Sequence, residues 1–196
     1  MGKGTTTEKK ILHAAIELFV RKGYHATSIQ DITQNVGLTK GAFYAHFKSK
    51  GELLYQIIEE FKTLFLDQLI KDVSDHSGSP ADKIHRCMSF SAEFARTNEN
   101  LCVFLTFLTN ELKSDVDFEI VLKGVYRKYQ KFLSKIFLQG IRSGQFKSDL
   151  DPDLAALSFM ALHDGILHQW ILNKDITNGR RLVRTLRNII FQGISN

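Results

Sequence analysis

Cysteine, proline and long apolar runs are all scarce in this chain of 196 residues. Cys87 and Cys102 have no close Cys or His partner at metal-ligand spacing. The sequence therefore predicts no metal site and no disulfide scaffold, and it favours a reducing compartment. The first ten residues are polar, and charged residues interrupt every apolar stretch before the ~20 residues that span a bilayer. We therefore expect no signal peptide, no membrane partner and a cytoplasmic location.

Positive charge is concentrated at one end of the chain. The first fifty residues hold eight Lys/Arg and three Asp/Glu, whereas the remaining 146 hold eighteen of each. The whole net charge of +5 therefore lies in the first quarter. A basic end attached to a neutral body is typical of a protein that binds a phosphate backbone with one part only. A solvated basic face without a partner would have the same charge distribution.

The first fifty residues have the spacing of a helix-turn-helix. Apolar residues recur on one helix face from Ile11 to Phe19. Ser28, with Asp31 three residues later, predicts the start of a second short helix that stops at Gly37. A third helix is expected from Thr39 or Lys40 to about Phe47. The Val36-Gly37-Leu38 turn puts glycine where a left-handed backbone is needed.

The second helix of such a pair enters the DNA major groove with its N-terminal residues nearest the bases. The residues placed there are small or polar, and cationic and aromatic residues follow, which suits base and phosphate contacts. Each of them also has a purely structural explanation, as a helix cap or a packing residue. The candidate DNA-binding residues are Thr27, Ser28, Thr39, Lys40, Gly41, Ala42, Tyr44, His46, Lys48 and Lys50.

Residues 8–55 resemble the N-terminal domain of tetracycline-repressor (TetR) family regulators. The resemblance rests on residues 11–19, on Gly23-Tyr24, on Ala26 to Asp31, and above all on the run from Val36 to Phe47 followed by Ser49-Lys50. It implies a supporting helix from Ser28 to Val36, a recognition helix from Lys40 to Phe47, and a phosphate anchor at Lys50. It also implies a homodimer with an effector pocket.

The expected fold is all-α, with an N-terminal three-helix DNA-binding domain over residues 1–50 and a helical effector-binding and dimerisation domain over residues 51–196. Apolar spacing and turn residues predict a long helix over 50–72, then helices from Pro80 to about Arg96 and over 99–112, 115–142, 152–173 and 178–194.

Aromatic residues are dense in this second region, and a bundle core lined by them suits a small hydrophobic or aromatic effector. Most of these rings are equally well explained as core. The candidate effector-binding residues are Phe61, Phe65, Met88, Phe94, Phe104, Phe107, Tyr129, His163 and Trp170. No cofactor is expected, and His163 and His168 are five residues apart, a poor spacing for a metal site on one helix face.

The last two helices carry more apolar surface than a terminal pair leaves in water, which predicts a homodimer interface there. The residues concerned are Leu162, Ile166, Trp170, Leu182, Leu186, Ile189 and Ile190.

Together these features predict a DNA-binding transcriptional repressor that a small effector releases from a palindromic operator. Three alternatives stay open. An enzyme is disfavoured because the chain has no phosphate loop, Gly-x-Ser-x-Gly or His-Glu-x-x-His motif. A helical adaptor without DNA binding is disfavoured by the intact cations and Tyr44. A DNA-binding activator stays open, because no residue of the sequence excludes it.

Overall fold

The computed structural model describes residues 6–111 and 116–195, and within those ranges the regular secondary structure is helical apart from one isolated β-bridge between Phe146 and Ser195. The helices in chain order are α1 (Thr6–Lys22), α2 (Ile29–Asn35), α3 (Lys40–Tyr44), α4 (Lys50–Phe61), a π-helical segment (Lys62–Asp67), α5 (Gln68–Ser74), α6 (Pro80–Thr97), α7 (Glu99–Glu111), α8 (Val116–Arg142), α9 (Pro152–Leu172) and α10 (Gly179–Ile194). None of the described helices is long and apolar enough to cross a membrane.

The chain packs into two compact units. Unit 1 comprises residues 1–62 and 100–119, and unit 2 comprises residues 63–99 and 120–196. In unit 1, α1 packs against α2 and α4, and α2 packs against α3. In unit 2, α6 packs against α5 and α10, and α10 packs against α9. These are packing units, and the functional division at residue 50 stays a prediction.

Several helices begin where the sequence predicts a cap. Ser28 and Ser79 each form a reciprocal capping box with an aspartate three residues later, and Pro80 occupies the first turn of α6. These side chains satisfy backbone N–H groups that have no partner inside the helix. Gly23, at the end of α1, has a φ of +85°, which a glycine adopts without strain.

Two predicted helices differ in the structure. The third helix ends at Tyr44 rather than Phe47, and a turn follows in which Phe47 N–H donates to the carbonyl of Phe43 at 2.9 Å. The helix predicted over 50–72 is not uniform, because the π-helical segment Lys62–Asp67 separates α4 from α5. Its apolar spacing is close to that of an α-helix, so the sequence pattern does not reveal the wider turn.

Helices α8 and α9 of unit 2 run antiparallel. The Ser134 hydroxyl donates to the Asp153 carboxylate at 2.6 Å, and the rings of Phe137 and Phe159 lie 6.2 Å apart. Further along α9, Asp164 acts electrostatically on Tyr126 and Tyr129, so position numbers rise along α9 as they fall along α8 from Ser134. Between the two helices, the buried Phe146 packs against Phe137, with ring centres 5.7 Å apart.

Candidate DNA-binding surface and effector site

The turn between α2 and α3 is closed by main-chain hydrogen bonds. Leu38 N–H donates to the carbonyl of Thr33 at 2.8 Å, and Gly37 N–H donates to that of Gln34 at 3.2 Å. Gly37 has a φ of +67°. This left-handed residue lets the chain reverse direction within three residues, as a helix-turn-helix requires.

The outer face of α3 presents the predicted recognition residues to solvent. Thr39, Lys40 and Gly41 are exposed, Tyr44 has 54% of its surface exposed, and the Lys48 side chain is also exposed.

Ala42 and His46 are half-buried, so they lie at the margin of this face. Its inner side holds Phe43 and Phe47, which are fully buried with ring centres 5.4 Å apart. Thr39 has a second task, since its hydroxyl accepts a hydrogen bond from Ala42 N–H at 3.2 Å and caps α3.

The Thr27 side chain is completely buried, and the Thr27 backbone N–H donates to the carbonyl of Tyr24 at 3.3 Å, so the predicted phosphate contact of Thr27 stays a prediction. Its hydroxyl donates to the carbonyl of Gly23 at 2.8 Å. The neighbouring Ser28 is exposed but is engaged in its capping box, where its hydroxyl donates to the Asp31 carboxylate at 2.5 Å. These hydrogen bonds, with Lys22 nearby, lower the pKa of Asp31 to about 2.

Lys50, the predicted phosphate anchor, makes contacts within the protein. Its ammonium donates to the carbonyls of Tyr24 and Thr27, both at 2.8 Å. It also lies 4.4 Å from the centre of the Tyr24 ring, within cation–π range. Lys50 therefore ties the start of α4 to the chain that leads into α2.

The structure does not bring the predicted effector residues together in one unit. Phe61 and Phe104 belong to unit 1, where Phe104 is buried with its ring 5.2 Å from that of Phe19. Phe107 lies on α7, and its side chain is outside the described residues. The other six candidates belong to unit 2.

Phe65 is the centre of an aromatic cluster in unit 2. Its ring lies 5.1 Å from Phe94, 5.9 Å from Tyr129 and 6.1 Å from Phe90. The buried Met88 lies on α6 with Phe90 and Phe94. The sequence prediction omits Phe90. Its spacing of four residues from Phe94 indicates that the two rings lie on the same face of α6.

His163 is the polar member of a second aromatic contact, with its ring 4.4 Å from that of Phe159 in an edge-on arrangement. Burial lowers the pKa of His163 to about 4. Burial also raises the pKa of Tyr129 well above its ordinary value. Both side chains are therefore uncharged at neutral pH.

Asp164 and Tyr126 lie beside these two residues, and the sequence prediction omits them as site residues. Asp164 keeps accessible surface, yet the protein around it raises its pKa to about 6. Burial and the charge of Asp164 together raise the pKa of Tyr126. One acidic side chain therefore flanks the aromatic interior.

Trp170 lies at the corner between α9 and α10. A methyl group on Gly179 would approach its indole nitrogen to 2.9 Å, so the ring closes this corner. Lys174 lies 4.8 Å from the centre of the ring and pairs with Glu99. These contacts give Trp170 a structural role, and its predicted contact with an effector stays a prediction.

Helix α9 has an apolar outer face with small residues in its middle. Leu154, Leu157, Leu162 and Leu172 are exposed, and so are Ser158, Ala161 and Gly165 between them. Of the residues predicted at a dimer interface, Leu162 and Ile189 are exposed, whereas Ile166, Trp170 and Leu182 are half-buried. Leu186 and Ile190 are buried within the protomer, so their place in that prediction is wrong.

Two family models match the chain. Residues 11–57 match the tetR family of bacterial regulatory proteins, and residues 80–192 match the C-terminal region of BetI-type transcriptional repressors.

Individual relatives match almost end to end. The transcriptional repressor DhaR of Mycobacterium sp. (strain GP1) is 25% identical over 97% of this chain and 93% of its own length. The structure of the regulator FadR from Bacillus subtilis in complex with stearoyl-CoA has a TM-score of 0.81 at 23% identity, covering 95% of this chain and 98% of FadR. That of AibR with isovaleryl coenzyme A and operator DNA has the same TM-score and identity, covering 94% and 98%. The chain therefore belongs to the tetR family of bacterial transcriptional regulators, with a C-terminal region of the BetI repressor type.

Proposed function

We propose that this protein is a cytoplasmic homodimeric repressor that binds a palindromic operator and is released by a small hydrophobic effector. The observation that carries the proposal is the exposed N-terminal half of α3 on a closed helix-turn-helix. In this proposal residues 1–50 bind DNA, and residues 51–196 bind the effector and form the dimer.

Four features of α3, its N-cap and the turn that follows it favour major-groove binding. Thr39 and Lys40 stand at the helix start, where side chains reach base edges. Gly41 is exposed and carries no side chain, so the DNA backbone can approach closely. Tyr44 and Lys48 are exposed further along and suit phosphate contacts, which set the register of the protein on the duplex. His46 is half-buried and contributes at the edge of the surface.

The effector is hydrophobic in this proposal because the rings around Phe65 supply an apolar interior with few polar groups. FadR and AibR, which share the fold, are described with acyl-CoA compounds. An acyl chain or a small aromatic acyl group matches the same kind of lining. The chain connection from α4 through the π-helical segment to α5 carries the effector signal toward the operator-binding residues.

Binding selection tests the operator-binding part. The purified full-length protein is incubated with a random pool of DNA duplexes at two salt concentrations, beside the Tyr44→Ala variant. We expect wild type to enrich a palindrome whose half-sites lie about one helical turn, ~34 Å, apart. Tyr44→Ala loses the enrichment, and higher salt weakens it.

Tyr55→Ala is the matched control, because Tyr55 is also exposed but lies on α4. It should retain the enriched sequence. Failure of wild type to enrich any sequence contradicts the proposal and favours a helical adaptor. A reporter gene behind the enriched operator then separates repression from activation, and we expect lower expression when the protein is present.

A further inference from the structure

Two polar side chains of unit 2, the buried Tyr129 and the half-buried His163, have polar atoms that are buried without a hydrogen-bond partner among the residues that the structure describes. They are the hydroxyl of Tyr129 and both ring nitrogens of His163. Tyr129 is 92% buried, its surface exposure being 8%. The hydroxyl of nearby Ser91 donates to the carbonyl of Cys87 at 2.8 Å, and it acts on the Tyr129 hydroxyl without reaching hydrogen-bond geometry. Buried polar groups are nearly always paired in folded proteins, so these two need an explanation.

The two side chains lie on neighbouring antiparallel helices. The hydrogen bond of Ser134 with Asp153, together with the electrostatic effect of Asp164 on Tyr126, sets the antiparallel register of α8 and α9. That register places Tyr129 and His163 on the same stretch of the helix pair. The charge of Asp164, the next residue on α9, acts on the Tyr129 hydroxyl, as expected if the two helices approach here.

Aromatic rings close in on both groups. The Phe65 ring meets Tyr129 edge-on at 5.9 Å, and the Phe159 ring meets His163 at 4.4 Å. Phe90 and Phe94 extend this lining from Phe65 along α6. Apolar rings thus flank both the Tyr129 hydroxyl and the His163 imidazole.

We propose that Tyr129 and His163 bind the carbonyl group of an acyl ester or thioester, whose hydrocarbon part packs among Phe65, Phe90 and Phe94. The proposal rests on the effector-binding part of the proposed function and names the chemistry that the effector presents. The carbonyl oxygen accepts a hydrogen bond from the tyrosine hydroxyl or from the imidazole N–H.

Local charges exclude a free carboxylate from this place. Asp164 is the charged neighbour, and it would repel a second carboxylate. His163 supplies no positive charge, since burial keeps it neutral at pH 7. Two nearby cations of unit 2 are engaged elsewhere, Lys128 with Asp67 and Arg86 with Asp72. Burial raises the pKa of the Cys87 thiol to about 12, so it is neutral too.

Calorimetric titration of the full-length protein tests the ligand class without DNA. The probes are the coenzyme A thioester, the methyl ester, the free acid and the amine of one acyl or alkyl chain, at eight and at sixteen carbons, with coenzyme A alone as a control. We expect the ester and the thioester to bind at least tenfold more tightly than the acid and the amine. Equal or tighter binding of the acid or the amine overturns the proposal, as does the absence of binding by every probe.

The variants are Tyr129→Phe and His163→Leu, with Tyr55→Phe as the matched surface control. We expect Tyr129→Phe to weaken ester binding about five- to tenfold, the size of one lost hydrogen bond. The unliganded variant should unfold at the same temperature as wild type or a higher one, because it loses an unsatisfied buried group. A lower unfolding temperature with unchanged ester affinity would instead assign Tyr129 a structural role and overturn the proposal.

Failure of this inference is separable from failure of the proposed function. Operator selection needs no effector, whereas the titrations need no DNA. A protein that enriches a palindrome but binds none of the probes remains an operator-binding regulator whose effector has another chemistry.

Discussion

The ammonium of Lys50 lies 4.4 Å from the centre of the Tyr24 ring and donates a hydrogen bond of 2.8 Å to the carbonyl of the same residue. A second hydrogen bond reaches the carbonyl of Thr27 at 2.8 Å. A residue expected to touch DNA phosphate is thus occupied inside the protein. We expect Lys50 to affect operator binding by positioning the chain that enters α2.

Replacing Lys50 by methionine separates the two roles. The variant loses two hydrogen bonds from a charged donor, so we expect the free energy of unfolding to fall by about 2–4 kcal/mol. Operator affinity should fall because α2 is less well placed. The slope of log affinity against log salt concentration should stay at the wild-type value, because no phosphate contact is lost. Urea unfolding and fluorescence anisotropy at several salt concentrations measure these quantities.

Lys48→Met is the matched control, since the Lys48 side chain is exposed on the candidate DNA surface. It should keep the wild-type stability and lower the salt slope by about 0.9, the value for one phosphate contact. The structural role given to Lys50 is wrong if Lys50→Met lowers the salt slope in the same way and leaves the free energy of unfolding unchanged.

Two glycines of α8 should respond oppositely to alanine. At Gly124 an added methyl group meets no atom within 4 Å, so Gly124→Ala should stabilise the helix by about 0.5–1 kcal/mol. At Gly140 the methyl group would overlap the ring of Phe146, which is buried. Gly140→Ala should therefore destabilise the protein by about 1–3 kcal/mol, as overpacking does. Thermal unfolding compares the pair, and a stabilised Gly140→Ala would mean that Phe146 is free to move.

Acid should destabilise the protein through His163. Its pKa is about 4 in the folded protein, against 6.5 for an ordinary histidine, so the unfolded chain takes up the proton first as the pH falls. Stability from the neutral imidazole is complete above pH 6.5 and is lost toward pH 4, by on the order of 3 kcal/mol. Urea unfolding at pH 7 and pH 4.5 should show a smaller loss for His163→Leu than for wild type.

Asp164 acts in the opposite direction, because its folded pKa is about 6, above 3.8. It contributes stability at low pH that is lost as the pH rises through 6. Its side chain is accessible, so solvent weakens this contribution. Asp164→Asn, measured beside His163→Leu, isolates it. An identical pH dependence of wild type and His163→Leu would refute the role given to His163.

A charge on the outer face of α9 should break the proposed dimer. Leu157→Glu puts a carboxylate on a face of exposed leucines and small residues, and burying that charge in an interface is costly. We expect sedimentation equilibrium to give a dimer for wild type and a monomer for the variant. Ile120→Glu is the control, because Ile120 is 63% exposed on α8 and lies outside this face. A dimeric Leu157→Glu variant would place the interface elsewhere.

Local signals determined much of this protein. Ser28, Gly37 and Ser79 mark helix boundaries because a cap or a left-handed residue depends only on a few neighbouring residues. The helix-turn-helix and the exposure of its predicted recognition residues follow from the same signals between neighbouring residues. The tetR family assignment rests on these residues as well, and the family models confirm it.

Contacts between residues far apart in the chain were decided by the tertiary structure alone. Lys50 donates to a carbonyl 26 positions away, and Phe104 packs on Phe19, far from it in the sequence. The π-helical segment and the unpaired Tyr129 and His163 have no local signature either. A side chain's chemistry is set by its own type, whereas its partner is set by which helices pack together. The sequence by itself therefore determined the family and the DNA-binding helix. Only the packing of the helices decided which described polar side chains have a hydrogen-bond partner and which buried ones have none.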